Sequence, residues 1–292
     1  MIDYYDPNLN RLITEQDIAT LDQWRNNREH FICARDPKGF LIFIPPDQIQ
    51  ISDEYSCNDP YTVAESISSE FHARRISITI DLIRTATAGL SDFRVLDMGC
   101  GEGHITARIR ESFPAAKIFA LDHSISAISK GLALYPEIEF IVANSYCPPY
   151  CNDYFDVVVC NNLWEHVPDP LRLLASISRI TKPSGYFVIS TPSRYHLRNL
   201  LKVVRGRPVE LISNLHVTEY SVGQVIEQLR YGGYEIINVL SYPISRLEGW
   251  RGFILAAIEL ILQKYLSLIG SHHNLQTTVF YLARKTARFA RT

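Results

Sequence analysis

From residue 94 onward, short β-branched runs alternate with stretches whose apolar positions recur every three or four residues. This is the rhythm of strands feeding helices in stacked βα units. Residues 94–98, 117–121, 138–142, 155–160 and 186–189 read as strands. The run Phe155-Asp-Val-Val-Val-Cys160 is apolar enough for the inside of a parallel sheet. Between the strands, Ile105, Ile109 and Phe113 form one helical stripe that Pro114 stops, and Ile125, Ile128 and Leu132 form a second. A third helix, capped by Asp169 and opened by Pro170, faces inward through Leu171, Leu174 and Ile177. A fourth runs from Ser221 to Gly232 with Val222, Val225, Ile226 and Leu229 inward, and strands at 234–240 and 278–282 follow. The pattern predicts an α/β fold: a doubly wound, mostly parallel sheet of seven strands, with a helical insertion before the last one.

Before residue 90 the pattern changes. Residues 11–30 and 61–84 read as helical, and 40–44 as a short strand stopped by Pro45 and Pro46. The expectation is a helical extension, 1–90, folded over the ligand-binding edge of a domain spanning 91–292. In that domain 192–220 and 247–270 are substrate-side insertions.

Composition acts by exclusion. The chain has 292 residues, 47% hydrophobic and 21% charged, which rules out disordered and fibrous classes. Lys plus Arg number 29 against 31 Asp plus Glu, a net charge of -2, and no aromatic-basic module stands out, so nucleic acid is not expected as a partner. The 6 cysteines form no CxxC pair and read as free thiols. The start, Met1-Ile-Asp-Tyr-Tyr-Asp6, has neither the basic nor the apolar region of a signal peptide, so a cytoplasmic location is expected.

In an open parallel sheet, ligands bind beyond the carboxyl ends of the strands. The first strand ends in Asp97-Met-Gly99-Cys-Gly101-Glu-Gly103, and His104 stands where a dinucleotide fingerprint needs its third glycine. Asp97 and Glu102 would oppose a pyrophosphate at the following helix N-terminus, whereas a ligand carrying an ammonium and a sulfonium favours both. S-adenosylmethionine is such a ligand. Asp122, ending the second strand, suits the two ribose hydroxyls, and Asn144-Ser145, after the third, can meet the adenine amino group. Either aspartate alone is equally readable as a helix cap; the pair beside this glycine pattern is not.

The segments VLDMGCGEG (95–103), FALDHS (119–124), FDVVVCNNLWEHVPDP (155–170) and LLASISRITKPSGYFVIST (173–191) resemble the class I S-adenosylmethionine-dependent methyltransferases. The resemblance is close over about 93–191 and looser to the last strand, and it implies their Rossmann-like fold. It also implies that Asp97, Gly99 and Gly101 line the methionine portion, Asp122 with its neighbour His123 the ribose, Asn144 with Ser145 the adenine, and Asn161 the methionine end through its backbone. The family usually has Asp where Asn144 stands, a change that keeps an acceptor oxygen. In similar ubiquinone-type O-methyltransferases an acid–x–x–Glu–His pattern holds a divalent metal. Here Asn162 replaces the first acid before Glu165 and His166, and no metal is expected.

Methyl transfer to a hydroxyl gains from a general base. The candidates are His166, just past the fourth strand, and His216, ahead of the helix that leads to the sixth. Both also read as structural residues, His166 shaping its loop and His216 hydrogen-bonded at an interface. The leading expectation is methyl transfer to a small-molecule acceptor hydroxyl. An NAD-type oxidoreductase and a non-catalytic ligand-binding protein on the same fold are the alternatives.

The stretch 253–269 presents Phe253, Leu255, Ile258, Leu262, Leu266 and Ile269, interrupted by Glu259, Gln263 and Lys264, which is too broken for a bilayer span. Upstream, Arg194, Arg198 and Lys202 recur every four residues, with Arg205 and Arg207 beyond. This pairing leaves three readings: packing on the sheet, a homodimer, or a lipid-like acceptor met at a membrane surface or in a greasy pocket.

Overall fold

The structure, a computed structural model, describes residues 4–26, 30–48, 68–241, 250–271 and 274–286; the side chains of 68–71, 251, 252 and 255 are outside that description. Cys57, residues 61–67 of the expected helix and 247–249 of the expected insertion lie outside the described residues.

Twelve strands are described. The seven expected ones are β6 (Arg94–Met98), β7 (Lys117–Asp122), β8 (Glu139–Val142), β9 (Phe155–Asn161), β10 (Thr181–Pro192), β11 (Tyr234–Ser241) and β12 (Thr278–Lys285). They lie in the order β11-β12-β10-β9-β6-β7-β8, and β12 alone among these seven runs antiparallel to its neighbours. The order reverses at β6, so the crevice at the carboxyl ends of β6 and β9 is the topological switch point.

Helices cover both faces. On one, α2 (Ser68–Ala86) and α3 (His104–Ser112) bury Leu82, Ile83, Ile105 and Ile109 against Val157 and Val159 of β9. On the other, α5 (Pro170–Ile180) and α7 (Val222–Tyr231) pack Leu174, Ile177 and Val225 against Val158 and Cys160. Burial on both sides is why β9 is apolar on both faces from Val157 to Cys160. The caps form as the sequence indicates: Asp169 accepts from Arg172 N at 3.0 Å, and Ser221 and Gln224 close a capping box. Trp164 is fully buried, and its indole donates to Gln228.

The N-terminal part differs from the expected helix over 11–30. Among the described residues of that stretch only α1 (Leu21–Asn26) is α-helical. β1 (Tyr5–Asp6) and β2 (Arg11–Leu12) form a separate ribbon, while β3 (Ile18–Thr20), β4 (Cys33–Arg35) and β5 (Leu41–Ile42) continue the main sheet past β8 to ten strands. Strands of two or three residues are too short to establish an alternation, so the helical reading prevailed there. The remaining helices are α4 (Ile125–Leu134), α6 (Leu197–Val204) and α8 (Trp250–Leu268). Both α6, following β10, and α8, preceding β12, stand at the edge where Pro192 pairs with Thr278.

Candidate active site

The loop leaving β6 turns through left-handed backbone at Gly99 (φ 77), Gly101 (φ 55) and Gly103 (φ 81). A Cβ at Gly99 would stand 3.1 Å from the Leu163 side chain, so this turn is restricted to glycine sterically as well as conformationally. Gly101 N donates to Asp122 Oδ2 at 2.8 Å, and Asp122 Oδ1 accepts from Ser124 N at 2.9 Å. The half-buried Asp122 therefore ties the ends of β6 and β7 together, and its burial raises its carboxyl pKa. His123 beside it is exposed.

Asp97 is buried, with Oδ2 accepting from Thr106 Oγ1 at 2.6 Å. Desolvation raises its carboxyl to about 6, opposed by the Thr106 bond and the Arg75 charge and reinforced by Asp122. Glu102 is used differently from the expectation. It pairs with Lys130 at 3.0 Å and lies 3.4 Å from His104 Nε2, so its charge is met within the protein, and the charge argument against a pyrophosphate rests on Asp97.

After β8, Asn144 and Ser145 are half-buried. Asn144 Oδ1 accepts from Tyr146 N at 2.9 Å, an Asx turn that uses one lone pair of the oxygen expected to meet adenine. At the end of β9 the Asn161 side chain is buried, donating to Thr79 and accepting from Ser190. A cavity of about 450 Å³ opens farther along this edge, among Tyr5, Asp6, Phe31, Phe43 and Cys147; neither Asp97 nor Asp122 lines it.

Sequence reasoning missed two residues here. Arg75, from α2, is buried beside Asp97 and donates to Asn162 Oδ1 at 3.1 Å, bringing a guanidinium to the carboxyl ends of β6 and β9. The only available signal was its place on the inward stripe with Thr79, Leu82 and Ile83. Glu219 is fully buried, and its Oε1 lies 2.6 Å from His216 Nδ1 and accepts from Ile212 N at 2.6 Å. The spacing His216-Val-Thr-Glu219 carried that pairing.

His216 also reaches the segment after β9. Val217 N and Thr218 N both donate to Glu165 O, and the rings of His166 and His216 stand edge to face, 5.0 Å apart. Glu165 is buried, its oxygens accepting from Asn162 Nδ2 at 2.9 Å and Thr191 Oγ1 at 3.1 Å, and burial raises its pKa. His166 is exposed, its Nδ1 3.3 Å from Leu215 O. The two candidate histidines, 50 residues apart in the chain, thus meet at the carboxyl edge of β9 and β10. Glu165, His166 and His216 each bring one ligand atom within 4.8 Å of the others. Each oxygen of that carboxylate already accepts one hydrogen bond, and His166 is open to solvent.

The residues at the switch point fit S-adenosylmethionine. A buried carboxylate lifted by desolvation is stabilised by an incoming ammonium, a guanidinium beside it matches the amino acid's carboxylate, and Asp122 at the next strand end meets a ribose. The sequence comparisons agree with that chemistry. A family model described as a methyltransferase domain matches residues 70–239. The ubiquinone biosynthesis O-methyltransferase of Thiobacillus denitrificans is 34% identical over 123 residues, 40% of this chain and 52% of that protein. The malonyl-[acyl-carrier protein] O-methyltransferase of Hahella chejuensis is 34% identical over 99 residues, 33% of this chain and 36% of that protein. The chain spans about half the length of the first of these relatives and less of the second. In fold it is similar to a SAM-dependent methyltransferase from Archaeoglobus fulgidus, with a TM-score of 0.53 at 18% identity over 78% of this chain and 100% of that one. Taken with the strand order and the glycine–carboxylate crevice, the match over 70–239 makes this chain a member of the class I S-adenosylmethionine-dependent methyltransferase-domain family.

Proposed function

We propose that the protein transfers a methyl group from S-adenosylmethionine to a hydroxyl of a small-molecule acceptor, with His216 as the general base. The observation that carries this reading is the buried Glu219–His216 pair at the same strand edge as Asp97 and Asp122. The bound cofactor supplies an electrophilic methyl group. Asp97 and Arg75 hold the amino acid end, Asp122 the ribose, and Asn144 with Ser145 the adenine. Glu219 fixes His216 with Nδ1 engaged, which leaves Nε2 to take the acceptor's proton. His166, exposed at the rim, borders the acceptor's path. Positioning supplies the larger part of the acceleration and the base about 10²–10⁴-fold.

The relatives do not fix one acceptor, since one is named for ubiquinone biosynthesis and the other for malonyl-[acyl-carrier protein]. A hydroxyl is favoured because a carboxylate acceptor needs no base, and this site has built one. Incubating the protein with methyl-labelled cofactor and a small-molecule extract tests the reading. Label is expected in an extractable product whose mass rises by one methylene; no labelled product above the heat-denatured control contradicts it.

Asp97 adds a pH prediction. Its folded-state pKa, about 6, lies above the ordinary carboxylate value, so in the free protein its stability contribution is full at low pH and is lost as pH rises through 6. An ammonium ligand reverses the preference by binding the ionised form. Cofactor affinity is therefore expected to fall about tenfold per pH unit below that value and to level off above it. Titrations spanning about pH 5 to 8 check this, and flat affinity across the window contradicts the contact.

A further inference from the structure

The helix α8 is mounted inside out. Two of its polar residues turn toward the body: Gln263 Oε1 accepts from Leu275 N at 3.0 Å, and Glu259 is half-buried facing Arg198 of α6. Its apolar residues turn to solvent, with Phe253 77%, Leu260 71% and Leu268 78% exposed, and Ile254, Ile261 and Tyr265 between them. Of the apolar face read from the sequence, Leu266 turns inward, while the side chain of Leu255 lies outside the described residues. Packing on the sheet, the first of the three readings above, is therefore not what this face does. The inversion is anchored, because Leu197 N of α6 donates to Leu275 O while Leu275 N donates to Gln263. A face this apolar, on a helix of 19 residues, is the feature of an interaction surface.

The flank indicates what covers it. Beyond Arg198, the end of α6 exposes Val203 and Val204 and is followed by exposed Arg205 and Arg207, and Lys264 lies exposed on α8 itself. The whole chain carries a net charge of -2, so this positive charge is local. A second copy meeting the face across a two-fold axis would set these cations against their own kind. An anionic lipid surface attracts them, and its acyl boundary accepts the apolar side chains and the Trp250 and Tyr265 rings. No described helix is long and apolar enough to cross a membrane, so α8 would lie in the interface plane.

We infer that α8 and the basic end of α6 dock this protein on the surface of an anionic bilayer. Both elements stand at the carboxyl edge of β10 and the start of β12, so docking turns the His216 side of the molecule toward the lipid. If the proposed methyl transfer holds, a hydrophobic acceptor would be delivered from there; docking itself does not rest on that reading.

Co-sedimentation of the full chain at low salt tests it, using vesicles of equal parts phosphatidylglycerol and phosphatidylcholine against vesicles of phosphatidylcholine alone. Wild type is expected to pellet with the anionic vesicles and at least about tenfold less with the neutral ones. Phe253→Glu with Leu268→Glu, and separately Arg205→Glu with Arg207→Glu, are each expected to reduce pelleting at least about tenfold. All four positions are exposed, so the variants should keep the wild-type melting temperature. Wild type remaining in the supernatant, or charge reversal leaving binding unchanged, overturns the inference. So does a solution dimer that Phe253→Glu with Leu268→Glu converts to monomer, because the face is then covered by a second copy.

Discussion

Replacing His216 with glutamine is expected to lower kcat by about 10²–10⁴-fold, the range a positioned general base supplies. Cofactor affinity and melting temperature should change little, because glutamine keeps a polar side chain next to the buried Glu219. His166→Gln is expected to have the smaller effect, because its ring is exposed and no carboxylate orients it as Glu219 orients His216. Glu219→Gln separates positioning from packing: kcat should drop with KM nearly unchanged. If turnover per folded molecule survives His216→Gln, the pair is structural and the acceptor needs no base.

The second large effect is expected from Gly101→Val. At φ 55 a β-branched residue is strained by about 1–3 kcal/mol, and the loop relieves that strain by giving up the Gly101 N to Asp122 Oδ2 bond. Cofactor binding should weaken at least about 10- to 100-fold. The strands on either side, with Leu96, Phe119 and Leu121 buried in the main core, keep the fold. Asp122→Ala should act in the same direction by removing both the loop tie and the ribose acceptor. Unchanged affinity in either variant with a wild-type melting curve would move the cofactor away from this crevice.

The central sheet was legible because its strands are buried on both faces. Val157 and Val158 of β9 face different helices, and from Val157 to Cys160 the strand is apolar and fully buried. The glycine turn and the two aspartates were legible for a related reason: they follow strands whose ends the pattern already located. Contacts made by folding back over long separations were not. The sequence suggested His166 and His216 separately, but their meeting depends on Val217 and Thr218 bonding to Glu165 O, which local spacing does not encode. Arg75 belongs to a helix read as an outer extension, yet that helix packs into the main core and carries the guanidinium to the crevice. The strand read at 40–44 is present as Leu41–Ile42, whereas Ile18–Thr20, inside the expected helix, forms because Cys33–Arg35 pairs with it, a tertiary cause invisible in three residues. For α8, hydropathy showed two faces; which one turns inward was decided by Gln263 bonding to Leu275.

Isothermal titration of the folded protein with S-adenosylmethionine, S-adenosylhomocysteine and NAD measures what the switch-point crevice binds. Saturable binding of the first two, none of NAD, and loss of both in Gly101→Val is the expected result. No heat from either sulfur nucleoside, or affinity for NAD that Gly101→Val abolishes, would contradict the assignment of this crevice to methyl-donor binding.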